Sequence, residues 1–265
     1  MNERGSDYDV VISVDLGWSP RNAARTALAC WRPGQDPWWE VLEPGSMQDM
    51  LARLAPFRGE RALVLLDIPL YGTEELSRER PFRPLDRALI ACGIPLYPSW
   101  RAGSYGRELA SAIGRLADGF EVVESYPNPV HRFMWLAQDE PGCLEGELRP
   151  IKALEDWRRR WPPAYKRGPL PERRKNLARL ASVLARFLPG DFSSLVPGEE
   201  SRGRELDRLG DVYDALVALR AGMEMARSSP WLLEARVEGH AGMIPLLADS
   251  NLRVMWEAAI ASTSR

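Results

Sequence analysis

The chain is poor in the side chains that most often do polar chemistry at neutral pH. Among 265 residues there are two histidines, His131 and His240, and three cysteines, Cys30, Cys92 and Cys143. So few imidazoles leave little material for a zinc site or a Ser-His-Asp relay. The cysteines are odd in number and far apart, with no C-x-x-C pair, which reads as free, mostly buried thiols in a reduced, cytoplasmic setting. Lysine is equally scarce: Lys152, Lys166 and Lys175 are the only ones among 35 basic residues. No apolar run approaches the ~20 residues of a membrane span, and Met1–Asp9 is too polar for a secretory leader. G-x-x-x-x-G-K-[ST], G-x-G-x-x-G and G-x-S-x-G are all missing, which removes the common phosphate-loop, dinucleotide and serine-hydrolase signatures. A net charge of −2 gives the whole molecule no pull towards nucleic acid or membrane.

What is present is an ordinary globular composition, 45% apolar and 27% charged, in a chain long enough for a large core. "DVVISVDLGWS" (9–19) reads as a buried strand ending in a turn, and "ARTALACWRP" and "WWEVLEP" as two more. A short helix is expected over Met47–Leu54. "RALVLLDIPL" (61–70) is apolar enough for a central strand covered on both faces. Helices follow over 83–93 and in "YGRELASAIGRLADG", then a strand in "FEVVESYPNP" (120–129). Further helices are expected around 130–137, 171–187, 205–227 and 251–261, with a strand-like "RVEGHAGMIPLL" before the last. The pattern predicts one α/β domain over 1–265: a mixed central sheet flanked by helices, with an extended helical C-terminal part. The Pro/Arg-rich stretch 156–173 is its one candidate insertion or mobile segment.

"GDVYDALVALRAG" (210–222) sets a puzzle. At 100° per residue, Asp214 falls about 60° from Asp211. Ala215, Ala218, Ala221 and Gly222 crowd the same side, and Tyr213, Val217, Arg220, Glu224 and Arg227 are left as the water-facing arc. Two acids therefore lie on a face of small residues. Asp211 also reads as a first-turn acid after Gly210, favoured by the helix dipole.

Asp15 closes the first strand, Asp67 closes a core strand and Glu124 lies at the end of a third. Open α/β sheets place ligands beyond such ends. Carboxylates meeting there raise each other's pKa unless a cation compensates, and hard oxygen donors suit Mg²⁺ or Mn²⁺. Two such ions can drive phosphodiester cleavage. Each acid has a plainer role as well: Asp15 and Asp67 as turn formers, Glu124 as a partner for Tyr126 or an arginine. From Arg158 to Arg186 there are ten basic residues and one acid, with Trp157, Trp161 and Tyr165 near the start. Such a stretch is either a solvated arginine face or a track for a phosphate backbone with stacked bases.

An acid on the first strand, one on the fourth and two acids three apart on a late helix resemble the ribonuclease H-like nuclease fold, especially its junction-resolvase branch. That branch usually has glutamate where this chain has Asp67. The wider chain resembles the family called domain of unknown function 429, described as predicted nucleases of that fold. The matching pieces are "VDLGW", "LDIPL", "RPLDR" (Arg83, Asp86, Arg87), "ESYPNP", "YKRGPLPERR" (Lys166, Arg167, Arg173), "GDVYDALVA" and "VEGHAGMIP". The resemblance implies a metal-dependent nuclease with Asp15, Asp67, Asp211, Asp214 and Glu124 as its catalytic acids. Asp15, Asp67, Asp211 and Asp214 would hold Mg²⁺ or Mn²⁺, and Lys166, Arg167, Arg173, Arg83 and Arg87 would meet a DNA or RNA substrate. "VDLGWS" also resembles the phosphate-binding turn of actin-like ATPases and sugar kinases, and a non-catalytic nucleic-acid- or protein-binding member is the third expectation.

Overall fold

The computed structural model describes residues 7–16, 25–43, 45–140, 147–152 and 154–263. Cys143 and the turn after Leu16, with its "GWS", lie outside the described residues. Strands β1 (Val10–Leu16), β2 (Thr26–Trp31), β3 (Trp38–Leu42), β4 (Ala62–Leu66) and β5 (Phe120–Glu124) form one sheet in the order β3-β2-β1-β4-β5. β2 is antiparallel to β1 and β3, whereas β1, β4 and β5 run parallel. The expected α/β architecture with a mixed central sheet is therefore present. β1 and β4 are buried from end to end, as their unbroken apolar runs require.

One face of the sheet is covered by α1 (Met47–Leu54) and α3 (Tyr105–Gly114), whose Met50, Leu54, Leu109 and Ile113 pack on Ile12, Val14, Val64 and Leu66. Ser46 caps α1 by accepting from Asp49 N–H at 3.1 Å, and the Asp49 carboxylate accepts from Ser46 N–H in return. The other face carries α7 (Gly203–Ala226), with α4 (Pro127–Ala137) and α6 (Leu170–Phe187) packed beyond it. α2 (Pro84–Ala91) and α8 (Ser250–Thr263) pair beside this layer. No described helix is long and apolar enough to cross a membrane.

Three sequence expectations are corrected. Tyr213, Val217, Arg220 and Glu224 do not face water: all are buried, because α4 and α6 cover the side of α7 that the sheet leaves open. The charges are matched internally, Arg220 Nη2 standing 2.6 Å from Glu224. Asp211 is not a first-turn acid, since α7 begins two turns earlier at Gly203. "RVEGHAGMIPLL" is not one strand but the second half of a hairpin, β6 (Leu232–Ala235) and β7 (Ile244–Leu247), with Gly239 and Gly242 at positive φ in the turn. Two smaller differences have plain causes. Pro127 opens α4 three residues earlier than expected, as proline does at a first helical position. A short helix, α5 (Leu154–Arg159), starts the Pro/Arg-rich stretch and buries Trp157, whose indole N–H donates to the Cys92 carbonyl at 2.9 Å. Cys30 and Cys92 are free and buried.

α7 lies unusually near the sheet at Gly222. A Cβ there would meet Leu65 Cδ1 at 2.4 Å and Val11 Cγ1 at 2.6 Å. Both neighbours are wholly buried branched side chains with little room to give. Gly222→Ala is therefore expected to lower stability by about 1–3 kcal/mol despite alanine's better helix propensity. Urea unfolding followed by circular dichroism measures this, and an unchanged midpoint would contradict the close approach.

Candidate active site

Parallel pairing brings the first two acids together. Val14 lies beside Leu66, so Asp15 and Asp67 leave their strands side by side, with Asp67 N–H donating to the Val14 carbonyl at 3.0 Å. Strand alternation gives Asp15 the parity of Val11 and Ser13, and Asp67 that of Leu63 and Leu65, so both carboxylates point towards α7. α7 descends along β1. The Ser13 hydroxyl donates to the Ala215 carbonyl at 2.6 Å, and Gly222 overlies Val11 further down. Asp211 and Asp214, nearer the start of the helix, therefore come over the ends of β1 and β4.

Lys166 stands among them. Lys166 Nζ lies 2.5 Å from Asp214, 3.2 Å from Asp211 and 3.4 Å from Asp15. Tyr165, next to it, donates its hydroxyl to the other oxygen of Asp214. Arg25 donates to Asp211 at 3.1 Å. Asp67 shares a hydrogen bond with Asp15 and feels the charge of the lysine.

Burial and crowding set the titration. Burial pushes the Asp15 carboxyl up to about 7; the Lys166 ammonium opposes that and the charges of Asp214 and Asp211 reinforce it. Asp67 is raised well above the ordinary carboxylate range by burial and by Asp15. Asp211 is raised by burial, with Lys166 and Arg25 holding the rise down. Burial pulls Lys166 down, but Asp214, Asp15 and Asp211 outweigh it and keep the amine protonated. His131, wholly enclosed against the rings of Tyr165 and Tyr213, is pushed down to about 3 and is neutral at pH 7.

Asp67, Asp214 and Lys166 form the floor of a cleft of about 620 Å³, walled in part by Tyr126, His131 and Tyr165. The donor set is entirely carboxylate oxygen, which fits Mg²⁺ or Mn²⁺ and not zinc. As the side chains stand, no group of three described His, Cys, Asp or Glu residues is placed to hold an ion. The lysine side chain is 43% exposed, and Asp15, Asp67, Asp211 and Asp214 are the residues that would hold a divalent cation if one took its place.

The other sequence-predicted residues are distributed differently. Glu124 has the parity of Phe120, whose side faces away from Asp15 and Asp67. It is paired with buried Arg83, 2.5 Å from Nη2, and accepts from Leu70 N–H at 3.1 Å. Arg83 also binds Asp86 at 2.7 Å and the Tyr71 carbonyl at 3.0 Å, so this triad braces the loop that follows Asp67. Arg87 is exposed and donates to the Phe82 carbonyl. Arg173 is buried; it donates to the Tyr165 carbonyl at 2.8 Å and stands 2.6 Å from Asp207. Arg167 lines the cleft and donates to the Tyr97 hydroxyl at 3.1 Å. Sequence reasoning missed Arg25, Asp207 and the reach of Tyr165 to Asp214. Only Asp207 carried a signal: it precedes Asp211 by four and Asp214 by seven, the spacing of one helical face.

Comparison of the chain with protein-family models, curated proteins and solved structures finds no match.

A raised carboxyl binds its proton more tightly in the folded state, so its contribution favours folding at low pH and is lost as pH climbs through the folded value. For Asp15 that window runs from about 4 to about 7. Metal-free protein is expected to lose stability across it, by up to ~4 kcal/mol for this group at 1.4 kcal/mol per tenfold change in proton affinity. Asp15→Asn should flatten the slope. Urea midpoints collected from pH 4 to pH 8 test this, and equal slopes in the two proteins would refute it.

Proposed function

We propose that the chain is a metal-dependent nuclease of the ribonuclease H-like fold, hydrolysing phosphodiester bonds of nucleic acid with Mg²⁺ or Mn²⁺. The observation that carries the reading is the meeting of Asp15, Asp211 and Asp214 around Lys166, with Asp67 hydrogen-bonded to Asp15, at the ends of parallel β1 and β4. The acid on β1, the acid after β4 and the acid pair on a late helix keep the disposition that the family resemblance implies.

Asp15, Asp67, Asp211 and Asp214 would hold the cation, Asp211 being steadied by Arg25. The bound ion supplies charge neutralisation at phosphorus and an activated water. The chain's own groups do the rest. Burial favours a proton on Asp15 and Asp67, and positive charge placed beside them would release it to solvent. Tyr165 fixes the orientation of Asp214 through its hydroxyl. Lys166, displaced from the carboxylates, moves towards a phosphate oxygen in the cleft, where a compact ammonium stabilises the growing negative charge.

One observation favours a second reading. Lys166 already balances three carboxylates, as a structural ion-pair network would, and this suits a non-catalytic member of the fold that binds nucleic acid or protein. The actin-like kinase reading lacks comparable support, since its turn falls outside the described residues.

The test pairs activity with metal binding. A panel of DNA and RNA substrates should be cleaved with Mg²⁺ or Mn²⁺, and Asp15→Asn or Asp214→Asn should each reduce the rate roughly a hundredfold or more. Titration calorimetry in buffers of different ionisation enthalpy should show Mn²⁺ binding with release of protons. No divalent-ion binding and no cleavage would leave the second reading, and saturable ATP hydrolysis without cleavage would favour the kinase.

A further inference from the structure

The walls of the cleft carry a feature that the acidic floor does not need. Trp161 is 40% exposed and Tyr97 57% exposed, and both line the cleft above Asp67, Asp214 and Lys166. Neither ring is loose. The guanidinium of Arg132 lies 3.4 Å from the centre of the Trp161 ring and 4.8 Å from that of Trp157. Arg132 is itself wholly buried and donates to the Gly93 carbonyl at 2.9 Å, so it covers one face of Trp161 and leaves the other open. Tyr97 is held by Arg167, which donates to its hydroxyl at 3.1 Å. Two fixed aromatic rings thus border a site whose floor is built for phosphate chemistry.

We propose that the cleft takes an unpaired nucleotide of a single strand, its base stacked on the open face of Trp161 and against Tyr97, its phosphate carried by Arg167 and Arg101. The ligand class rests on the nuclease reading above; the choice of single strand rests on the cleft. Its volume, about 620 Å³, is that of a small-molecule pocket, enough for one or two nucleotides and too small for a double helix. Cations on its lining are few: Arg101, Lys166 and Arg167, of which Lys166 is engaged by the acids. Duplex binding draws its strength from many phosphate contacts, and a chain of net charge −2 with three lysines has little to offer there. Stacking on aromatic faces is the means of binding that remains, and it suits unstacked bases of any identity.

The experiment measures binding by fluorescence anisotropy with the full chain in EDTA, so that no cleavage is required. The probes are fluorescein-labelled single-stranded DNA and RNA oligonucleotides and a hairpin duplex of the same composition. The single strand should bind about tenfold tighter than the hairpin, and Trp161→Ala should weaken it by about tenfold. Trp161→Phe keeps a ring and should restore most of the affinity, and Tyr97→Ala should weaken single-strand binding in the same direction. Melting temperatures should stay near that of the parent, because both rings are at the surface. Equal affinity for hairpin and single strand, an unaffected Trp161→Ala, or no saturable binding of any oligonucleotide would overturn the proposal. Single-strand binding that depends on Trp161 without metal-dependent cleavage would sink the nuclease reading alone. Cleavage of duplex indifferent to Trp161 would sink the stacking proposal alone.

Discussion

The distance between α7 and the sheet governs the rest of the molecule. Aspartate is a short side chain, and acids on β1, after β4 and on a helix can share one cation only if the helix lies nearly on the strands. Gly222 removes the Cβ that would collide with Leu65 and Val11, and Ala215 and Ala218 keep the same face low. The Ser13 hydroxyl, bonded to a carbonyl of the helix, replaces water at the contact. A helix pressed this closely to a sheet is buried on one side; covering it with α4 and α6 buries the other, and Arg220 and Glu224 then have to satisfy each other. The acidic site, the all-round burial and the internal ion pair are three results of one short spacing.

Lys166 shows why residue type matters beyond charge sign. An ammonium offers three donors from a single point, and here three carboxylates surround it. The planar fork of arginine matches one carboxylate with two parallel bonds, as Arg83 does with Glu124. In a chain whose basic residues are almost all arginine, a lysine stands where the geometry calls for a point charge. It stands where burial and mutual repulsion drive Asp15 and Asp67 towards protonation, so one positive charge decides how many protons the floor carries.

The strands and the small-residue face of α7 were legible because they depend on local periodicity. Apolar runs of strand length marked β1 and β4, and the alanines with Gly222 marked the side of the helix that meets the sheet. The outer side of the same helix was misread, because Tyr213, Arg220 and Glu224 look solvent-facing unless α4 and α6 are known to cover them. Glu124 was misplaced because parity along its own strand says nothing of face until the register is known: paired with Leu66, it lies on the opposite face from Asp15 and Asp67. Lys166 was recognised as important but placed on substrate, since nothing local to "YKRG" says that it reaches back to β1. Arg25 depends on a contact 186 residues away and had no local signature, and Tyr165, noted only as an aromatic for stacking, reaches Asp214 across 49 residues.

Arg173 joins the two halves of the cleft's inner side. One edge of its guanidinium holds the Tyr165 carbonyl and the other holds Asp207 on α7, so the wall that carries Tyr165 and Lys166 is clamped to the helix that carries Asp211 and Asp214. Widening the cleft along this side would leave a buried guanidinium without partners, a costly change. Across the cleft, Tyr97 stands exposed and accepts from Arg167 at its hydroxyl. Arg173 thus works as a rivet: whatever enters the cleft, the Tyr165–Lys166 wall and the carboxylates of α7 keep one registration.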